Sequence, residues 1–455
     1  MENKKIDLGR GSVGKLLFSL GLPAIIAQLV NVLYNMVDRI FIGRMDNGGI
    51  AMAGIGVAMP VIMLVAAFSA LIGNGGAPLA AIKMGEKNEK EAEKIMTMSF
   101  TTLIILSIVL TTILLIFKTP ILWAFGASNE TISYASQYLS VYLIGTIFVQ
   151  IALGMNPFIN TQGFAKIGMM TISIGAIINI ILDPIFIFGL NLGVKGAALA
   201  TILAQGVSAL WVLKFLLSKN SILKLRKEYL IPKLSIIIPV IGLGISPFIM
   251  NSTESLVLIS LNNQLLKYGG NLAVSAMTIM TSIMQFVTLP IIGLSQGAQP
   301  IISYNFGARK INRVKSTFKI LFLICIAFTT TMTILIVNFP EMFVRIFNKD
   351  QELLNITSYC MKIYFMGIFA IGAQIACQQT FLALGQAKIS MILALLRKII
   401  LLIPLIFILP NFIGNGLMAV LLAEPIADIT ASLSTVICFT IFYKRTLSSI
   451  ELICS

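Results

Sequence analysis

Residues 95–117 read IMTMSFTTLIILSIVLTTILLIF, an apolar run without a single charged side chain. A helix of about 18 or more apolar residues is long enough to cross the ~30 Å hydrocarbon layer of a membrane. About twelve such runs follow one another along the chain, which predicts an all-α polytopic membrane protein. A membrane-spanning strand barrel would instead show short segments of alternating hydrophobicity. The predicted spans are residues 14–41, 51–82, 95–117, 131–158, 165–189, 194–217, 234–266, 271–304, 315–338, 353–383, 389–409 and 414–443.

The overall composition supports the same class of protein. Hydrophobic residues make up 57% of the 455 residues and charged residues only 11%. A soluble domain carries roughly 25% charged residues, so a water-soluble protein of this size is excluded. The net charge of +15 comes mainly from Lys and Arg in alternate loops, which indicates membrane orientation and not a nucleic-acid partner. We therefore expect a multi-pass protein of the cell membrane, in contact with the lipid bilayer, with both termini cytoplasmic.

An internal repeat divides the chain into two halves. A shift of 222 residues superimposes equivalent residues in two separate regions, namely Gly75 on Gly297, Pro78 on Pro300, Gly85 on Gly307, Lys87 on Arg309, Gly163 on Gly385, Ala165 on Ala387 and Lys166 on Lys388. Because the repeat contains an even number of spans, the halves share one topology. We predict two six-helix lobes related by a pseudo-twofold axis along the membrane normal, with a cavity between them. The N-lobe covers residues 1–217, a solvated cytoplasmic linker residues 218–233, and the C-lobe residues 234–455.

Cysteine and histidine usage limits the chemistry. The five cysteines are odd in number and show no metal-ligand spacing, so we interpret them as packing residues: Cys325, Cys360, Cys377, Cys438 and Cys454. Histidine is absent. Any proton or metal-ion chemistry must therefore be performed by carboxylates.

Five carboxylates fall inside predicted spans: Asp38, Asp183, Glu254, Glu424 and Asp428. A charge at the bilayer centre costs ~2.5–3.5 kcal/mol even on the mildest scale. Such residues either form ion pairs or take part in function.

A cluster of oxygen ligands is predicted around Asp183. Asn179 precedes Asp183 by four residues and shares its helix face. Pro184 has no N–H, so the carbonyl of Ile180 keeps a free acceptor. With Asp38 and Thr201, these groups would form a pocket of hard oxygens for Na⁺, or a coupled carboxyl pair that holds a proton. A hydrogen-bonded polar core is the alternative interpretation, and the residues alone leave both open.

A second polar group is predicted in the last two spans. Glu424 and Asp428 lie four residues apart, and Arg397 and Lys398 occupy the preceding span. We interpret these four residues as a buried ionic cluster with a structural role, with substrate contact as the alternative. Candidate substrate contacts near Asp38 are Gln28, Asn31, Tyr34 and Met36.

Three stretches of sequence resemble the multidrug and toxic compound extrusion (MATE) family, and in particular its bacterial MepA-like branch. They are LPAIIAQLVNVLYNMVDRIFIG at residues 22–43, NIILDPIFIFG with GVKGAALAT at residues 179–201, and the repeated G-x-x-P-x6-G loops that start at Gly75 and Gly297. The resemblance extends over essentially the whole chain.

The resemblance implies export of amphipathic, often cationic compounds, coupled to inward movement of Na⁺ or H⁺ by alternating access. It also implies a cation site at Asp38, Asn179, Asp183 and Thr201, and a role for Glu254 in the seventh helix. An acid that some relatives have in the tenth helix finds no match here, where the polar residues are Gln374, Gln378 and Gln379. A C-lobe cation site like theirs is therefore not expected.

Several further expectations complete the hypothesis. Pro23 in the first helix is the candidate hinge, since proline kinks helices. No phosphate-binding Gly-x-x-x-x-Gly-Lys-Ser/Thr run is present, so we expect no ATP-driven step, no cofactor and no enzyme activity. The alternative function is a lipid-linked saccharide flippase of the same superfamily. We expect the protein to act as a monomer.

Overall fold

The computed structural model describes residues 7–45, 47–347 and 350–447, and every regular element in these ranges is helical. Eleven helices are long and apolar enough to span a membrane, and a bent pair adds a twelfth. The prediction of about twelve spans is confirmed. In chain order the spans are α1 Val13–Gly43, α2 Gly48–Gly85, α3 Glu89–Ala124, α4 Ile132–Ile144 with Thr146–Thr161, α5 Ala165–Gly189, α6 Val194–Leu216, α7 Leu234–Gly270, α8 Leu272–Gly307, α9 Ile311–Asn338, α10 Gln351–Ala383, α11 Ala387–Asn411 and α12 Gly416–Arg445.

The fourth span is broken, where the sequence predicted one continuous helix over 131–158. Its two segments meet at Gly145 at an angle of 60°. Gly145 lies against the side chain of Ile202 in α6, and a Cβ atom there would collide with it. The equivalent residue in the other half, Gly367, ends a 3₁₀ turn within α10 and lies against Pro425 of α12.

The two halves repeat each other in backbone detail. Lys87 and Arg309 both adopt left-handed backbone conformations, with φ of 61° and 57°. Gly163 and Gly385 also match, with φ of 87° and 72°. Each pair is separated by the 222 residues of the sequence repeat. The two-lobe architecture predicted from the repeat is therefore present in the structure.

Small residues bring the lobes together. Gly297 of α8 packs against the backbone of Gly21 in α1, and Gly75 of α2 packs against Gly244 in α7. These two contacts are equivalent under the repeat, because each joins the first helix of one lobe to the second helix of the other. Glycine permits such close backbone approach between membrane helices. Both contacts lie toward the end of the molecule that carries the α2–α3 and α8–α9 loops.

The linker between the lobes, residues 218–233, is bound to the N-lobe and is not simply a solvated loop as predicted. The side-chain oxygen of Gln162 accepts the backbone N–H of Leu223 at 3.0 Å, and Leu223 is fully buried. Glu93 of α3 accepts from the guanidinium of Arg226 at 2.8 Å. Net charge and hydropathy predicted only the polarity of this segment, because these partners lie far away in the sequence.

The segment before α1, residues 7–12, is bound to the opposite lobe. The side-chain amide of Asn305 donates to the carbonyl of Leu8 at 2.9 Å, and Arg313 donates to the carbonyl of Gly11 at 2.8 Å. The chain that leads into each lobe is thus held by the other lobe, at the same end of the molecule.

The cysteines largely pack as predicted. Cys325, Cys360 and Cys377 are buried, while Cys438 is exposed on the outer surface of α12. Cys454 lies outside the described residues.

Candidate functional site

Asp38 of α1 and Asp183 of α5 face each other in the N-lobe. Asp183 is fully buried, and its carboxyl group lies close to that of Asp38. Two ionised carboxylates at close range repel each other, and a proton or another cation bound between them would relieve the repulsion. The helical spacing alone placed Asp183 beside Asn179; the packing of α1 on α5 adds Asp38.

Asn179 and Thr201 complete the cluster. The amide of Asn179 donates to Oδ1 of Asp183 at 3.2 Å and to the hydroxyl oxygen of Thr201 at 3.4 Å. The Thr201 hydroxyl donates to the carbonyl of Ala197 at 3.0 Å. The structure therefore brings together all four residues of the predicted cation site.

Three oxygens of this cluster are buried without a hydrogen-bond partner: Asp38 Oδ1, Asn179 Oδ1 and Asp183 Oδ2. A buried acceptor without a partner costs ~1–3 kcal/mol, so three in one place require an explanation. Carboxylate and amide oxygens are the ligands that hard cations prefer. The donor set therefore fits a bound proton or a small monovalent cation.

A cavity of 140 Å³ adjoins the cluster. Gln28, Asn31 and Tyr34 of α1 line it, together with Asn179 and Thr201. Three of the four predicted substrate contacts thus lie on one wall. The fourth, Met36, is not among the described residues that line this cavity, and 52% of its surface is exposed.

One polar aromatic residue near the cluster was missed by sequence reasoning. Tyr138 of α4 is buried, and its side chain lies near Thr201 and Asp38. Its ring stacks on that of Tyr142, with the ring centroids 6.2 Å apart. Two tyrosines four residues apart in an apolar span were the available signal, because a buried hydroxyl requires a partner.

Pro23, the predicted hinge, is buried within α1. The helix Val13–Gly43 continues through it without a break. Two residues later, Ile25 packs against Gly293 of α8. Pro23 therefore lies next to the contact between the lobes, and its function as a hinge remains a prediction.

The ionic cluster of the C-lobe differs from the predicted arrangement in one member. Arg397 bridges to Asp428 at 2.7 Å and to Glu424 at 3.4 Å, as the sequence predicted. Lys398, however, forms its ion pair with Glu254 of α7 and also donates to the carbonyl of Met250 at 2.8 Å. Consecutive residues of a helix point in directions about 100° apart, so Arg397 faces α12 while Lys398 faces α7. Residues Leu396–Leu402 form a π-helical segment.

A second and larger cavity, of 360 Å³, is lined mainly by C-lobe residues, together with Met63 and Asn74 of α2. Glu254, Arg397, Lys398 and Glu424 line part of it, and Gln374, Gln378 and Gln379 line another part. Glu254, the candidate coupling acid, is therefore exposed to this cavity and paired with Lys398. The predicted cation site and Glu254 belong to different lobes.

This architecture defines a multi-pass membrane transporter built from two repeated lobes, each with a polar cavity and buried carboxylates. The MatE family profile matches residues 23–185 and 247–408, one match in each lobe. The chain belongs to this family. The resemblance predicted from the sequence is thereby confirmed.

Individual relatives agree with this assignment. The chain is 29% identical over 426 residues to the protein named Multidrug export protein MepA of Staphylococcus haemolyticus, with 92% of each chain covered. Among solved structures, it matches an outward-facing multidrug resistance MATE family transporter with a TM-score of 0.90 at 22% identity, covering 98% of this chain and 99% of that one. It matches a Pyrococcus furiosus transporter of the MOP superfamily, described as having a binding pocket of reverse polarity, with a TM-score of 0.90 at 21% identity and coverage of 98% and 99%.

Proposed function

We propose that this protein is a secondary active multidrug efflux transporter of the bacterial cell membrane. It exports amphipathic, cationic compounds by antiport with Na⁺ or H⁺. The observation that carries the proposal is the Asp38–Asp183 pair with its unpaired oxygens, because it is built to bind a cation inside the membrane. Similarity to the Multidrug export protein MepA supports multidrug export as the function.

The orientation of the chain follows from its basic loops. The α2–α3 loop and the α8–α9 loop carry Lys87 and Arg309, and the adjoining helices add further Lys and Arg. Positively charged loops face the cytoplasm. Both termini are then cytoplasmic, and the contacts of Gly21 with Gly297 and of Gly75 with Gly244 close the cytoplasmic end. The described conformation corresponds to an outward-facing state.

Transport then requires the lobes to separate at this end. The cation and the drug must favour different lobe arrangements, since a ligand that binds both states equally shifts nothing. One charge crossing 100 mV contributes ~2.3 kcal/mol, and a tenfold drug gradient requires ~1.4 kcal/mol. One cation per cycle therefore suffices for an uncharged drug. For a monovalent cationic drug, one-for-one exchange moves no net charge, and the concentration gradient of the coupling ion supplies the energy. Bending of α1 at Pro23, when the Asp38 site gains or loses its cation, is the candidate switch.

We propose further that the transporter needs no cofactor, catalyses no chemical reaction and acts as a monomer. The flippase alternative is not favoured, because the N-lobe site is acidic where an anionic lipid-linked saccharide would require basic residues. Drug sensitivity after deletion of the gene supports efflux, whereas a cell-wall defect would support the flippase.

The decisive experiment is uptake of a fluorescent organic cation into inverted membrane vesicles. The Na⁺ gradient and the proton gradient are imposed separately, and the gradient that drives uptake identifies the coupling ion. The test variant is Asp38→Asn, which should insert normally while its gradient-driven uptake falls by roughly tenfold or more. Full uptake by this variant would overturn the proposed coupling site.

A further inference from the structure

The ionic cluster of the C-lobe carries an uneven number of charges. Two basic side chains, Arg397 and Lys398, face three acids, Glu254, Glu424 and Asp428. With every group ionised, the cluster holds one excess negative charge. Glu254 is 51% exposed and is paired with Lys398, so the excess falls on Glu424 and Asp428, which are buried and share Arg397. A charge there is costly, because little water is present to solvate it. Unlike a closed ion pair, this cluster becomes neutral only if it gains one positive charge.

The cluster also contains unpaired oxygens. Glu424 Oε2, Asp428 Oδ2 and the side-chain oxygen of Gln374 are buried without a hydrogen-bond partner. Glu424 is 5% exposed and Gln374 is 3% exposed, and both line the 360 Å³ cavity. These unpaired acceptors are an observation independent of the charge count. They indicate that the cluster lacks a hydrogen-bond donor, which a bound proton would supply.

The distances identify the acid that is least neutralised. Asp428 accepts a hydrogen bond from Nε of Arg397 at 2.8 Å, and the same oxygen forms an ion-pair contact with Nη2 at 2.7 Å. Glu254 is paired directly with Lys398. Glu424 has a single contact with Arg397, at 3.4 Å. Of the three acids, Glu424 is the one with the weakest compensation.

The surroundings of Glu424 favour a proton over a metal ion. A metal ion would need several oxygen ligands arranged around it while lying next to the guanidinium of Arg397. A proton needs one oxygen, and it converts the unpaired acceptor Oε2 into a donor. The titratable and charged groups that face Glu424 are Glu254 from α7, Tyr364 from α10, Arg397 and Lys398 from α11 and Asp428 from α12.

We propose that Glu424 is a second cation site of the transporter, in the C-lobe, which binds one proton from the cavity. The step is Glu424–COO⁻ + H⁺ → Glu424–COOH, and no other bond changes. The site is separate from the Asp38–Asp183 site and lies in the other lobe. Proton binding here can be measured without transport, so its failure and the failure of the proposed efflux function are distinguishable.

The test is infrared spectroscopy of purified protein in detergent at about pH 7, where exposed carboxyl groups, with pKa values near 4, are ionised. A protonated carboxyl group gives a C=O stretching band that shifts in D₂O. The parent protein carries Asp38→Asn and Asp183→Asn, which remove the N-lobe pair. We expect one such band in this parent, its loss in Glu424→Gln, and its retention in the exposed-loop control Glu130→Gln.

The charge count makes a second variant informative. In Asp428→Asn, two acids face two bases, so the cluster is neutral without the proton and the band should also disappear. Glu424→Asp keeps the carboxyl group and should keep the band, which guards against a folding defect in Glu424→Gln. The proposal would be overturned by a band that persists at full intensity in Glu424→Gln, or by the absence of any band in the parent. Loss of the band on addition of NaCl would also overturn it and would indicate a sodium site.

Discussion

Gly85 of α2 lies directly against the backbone carbonyl of Tyr304 in α8, and Gly307 lies equally close to the carbonyl of Ile82. The two contacts are related by the 222-residue repeat, because Tyr304 follows Ile82, and Gly307 follows Gly85, by that distance. The point where α2 and α8 cross therefore lies on the pseudo-twofold axis. Neither glycine can carry a Cβ atom without moving the opposing backbone.

Alanine at either glycine should open this end of the molecule. Overpacking of a tight contact costs ~1–3 kcal/mol, which shifts an equilibrium by roughly 5- to 150-fold. We expect Gly85→Ala and Gly307→Ala to have similar effects, because the contacts are symmetric. Spin labels at the equivalent exposed positions Lys90 and Asn312 should report longer distances in both variants.

The control for this experiment is Gly56→Ala. Gly56 lies on α2, and a Cβ atom there would have no neighbour within 4 Å. The distance distribution should stay as in the wild type. An unchanged distribution in Gly85→Ala as well would show that the crossing is not a constraint on lobe separation.

The N-lobe cation cluster should be sensitive to removal of either charge. Asp38→Asn and Asp183→Asn each leave an amide where a cation would bind, so we expect gradient-driven efflux to fall by roughly tenfold or more, the effect of ~1.4 kcal/mol of lost binding. The amount of inserted protein should be unchanged. Drug resistance in cells, with immunoblots for protein amount, provides the measurement; Glu352→Gln, an exposed acid at the start of α10, is the control.

The sequence predicted the N-lobe cluster well for a physical reason. Asn179 and Asp183 are one helical turn apart, so the sequence itself places them close together. An acid within a membrane span, such as Asp38, is expected to face the protein interior because exposing its charge to lipid is costly. Thr201 was proposed from the small residues at the start of the next helix, and the resemblance to a known family implied the same residue. Tyr138 was missed because a tyrosine in an apolar span is normally interpreted as a packing residue, and its polar neighbours are evident only from the structure.

Prediction from the sequence failed where the interacting residues are remote from each other in the chain. The sequence did not predict that Lys398 pairs with Glu254 of α7, because the two residues are 144 positions apart. The linker was expected to be solvated because its composition is polar. Its binding depends on Gln162 and Glu93, and neither residue has a local sequence signal.

The linker should be released by the loss of Glu93. The carboxylate binds the guanidinium of Arg226 and the backbone N–H of Lys224. A buried hydrogen bond to a charged group contributes ~1.5–3 kcal/mol. The contribution is smaller here because the arginine is half exposed. We expect Glu93→Gln to speed tryptic cleavage within residues 218–233. The control Glu86→Gln removes an exposed pair with Lys83 and should have little effect.

The response of this contact to alkaline pH has a defined sign. The hydrogen bond and the charge of Glu93 raise the pKa of Arg226 above its ordinary value. The stabilisation is therefore fully present below the ordinary pKa of arginine and is lost only above the raised value. Tryptic cleavage of the wild-type linker should not accelerate between neutral and mildly alkaline pH because of Arg226; a clear acceleration that Glu93→Gln lacks would contradict this assignment.

Arg313 should hold the N-terminal segment on the C-lobe. Its guanidinium donates to the carbonyls of Gly11 at 2.8 Å and Arg10 at 3.2 Å, and to the side chain of Asn305 at 3.1 Å. Because residues 7–12 lead into α1 of the opposite lobe, these bonds join the two lobes. We expect Arg313→Gln to increase hydrogen exchange at residues 7–12 by roughly tenfold, which corresponds to ~1.4 kcal/mol. Lys319→Gln, an exposed basic residue on the same helix, should leave exchange unchanged; equal exchange in both variants would show that Leu8 burial alone holds the segment.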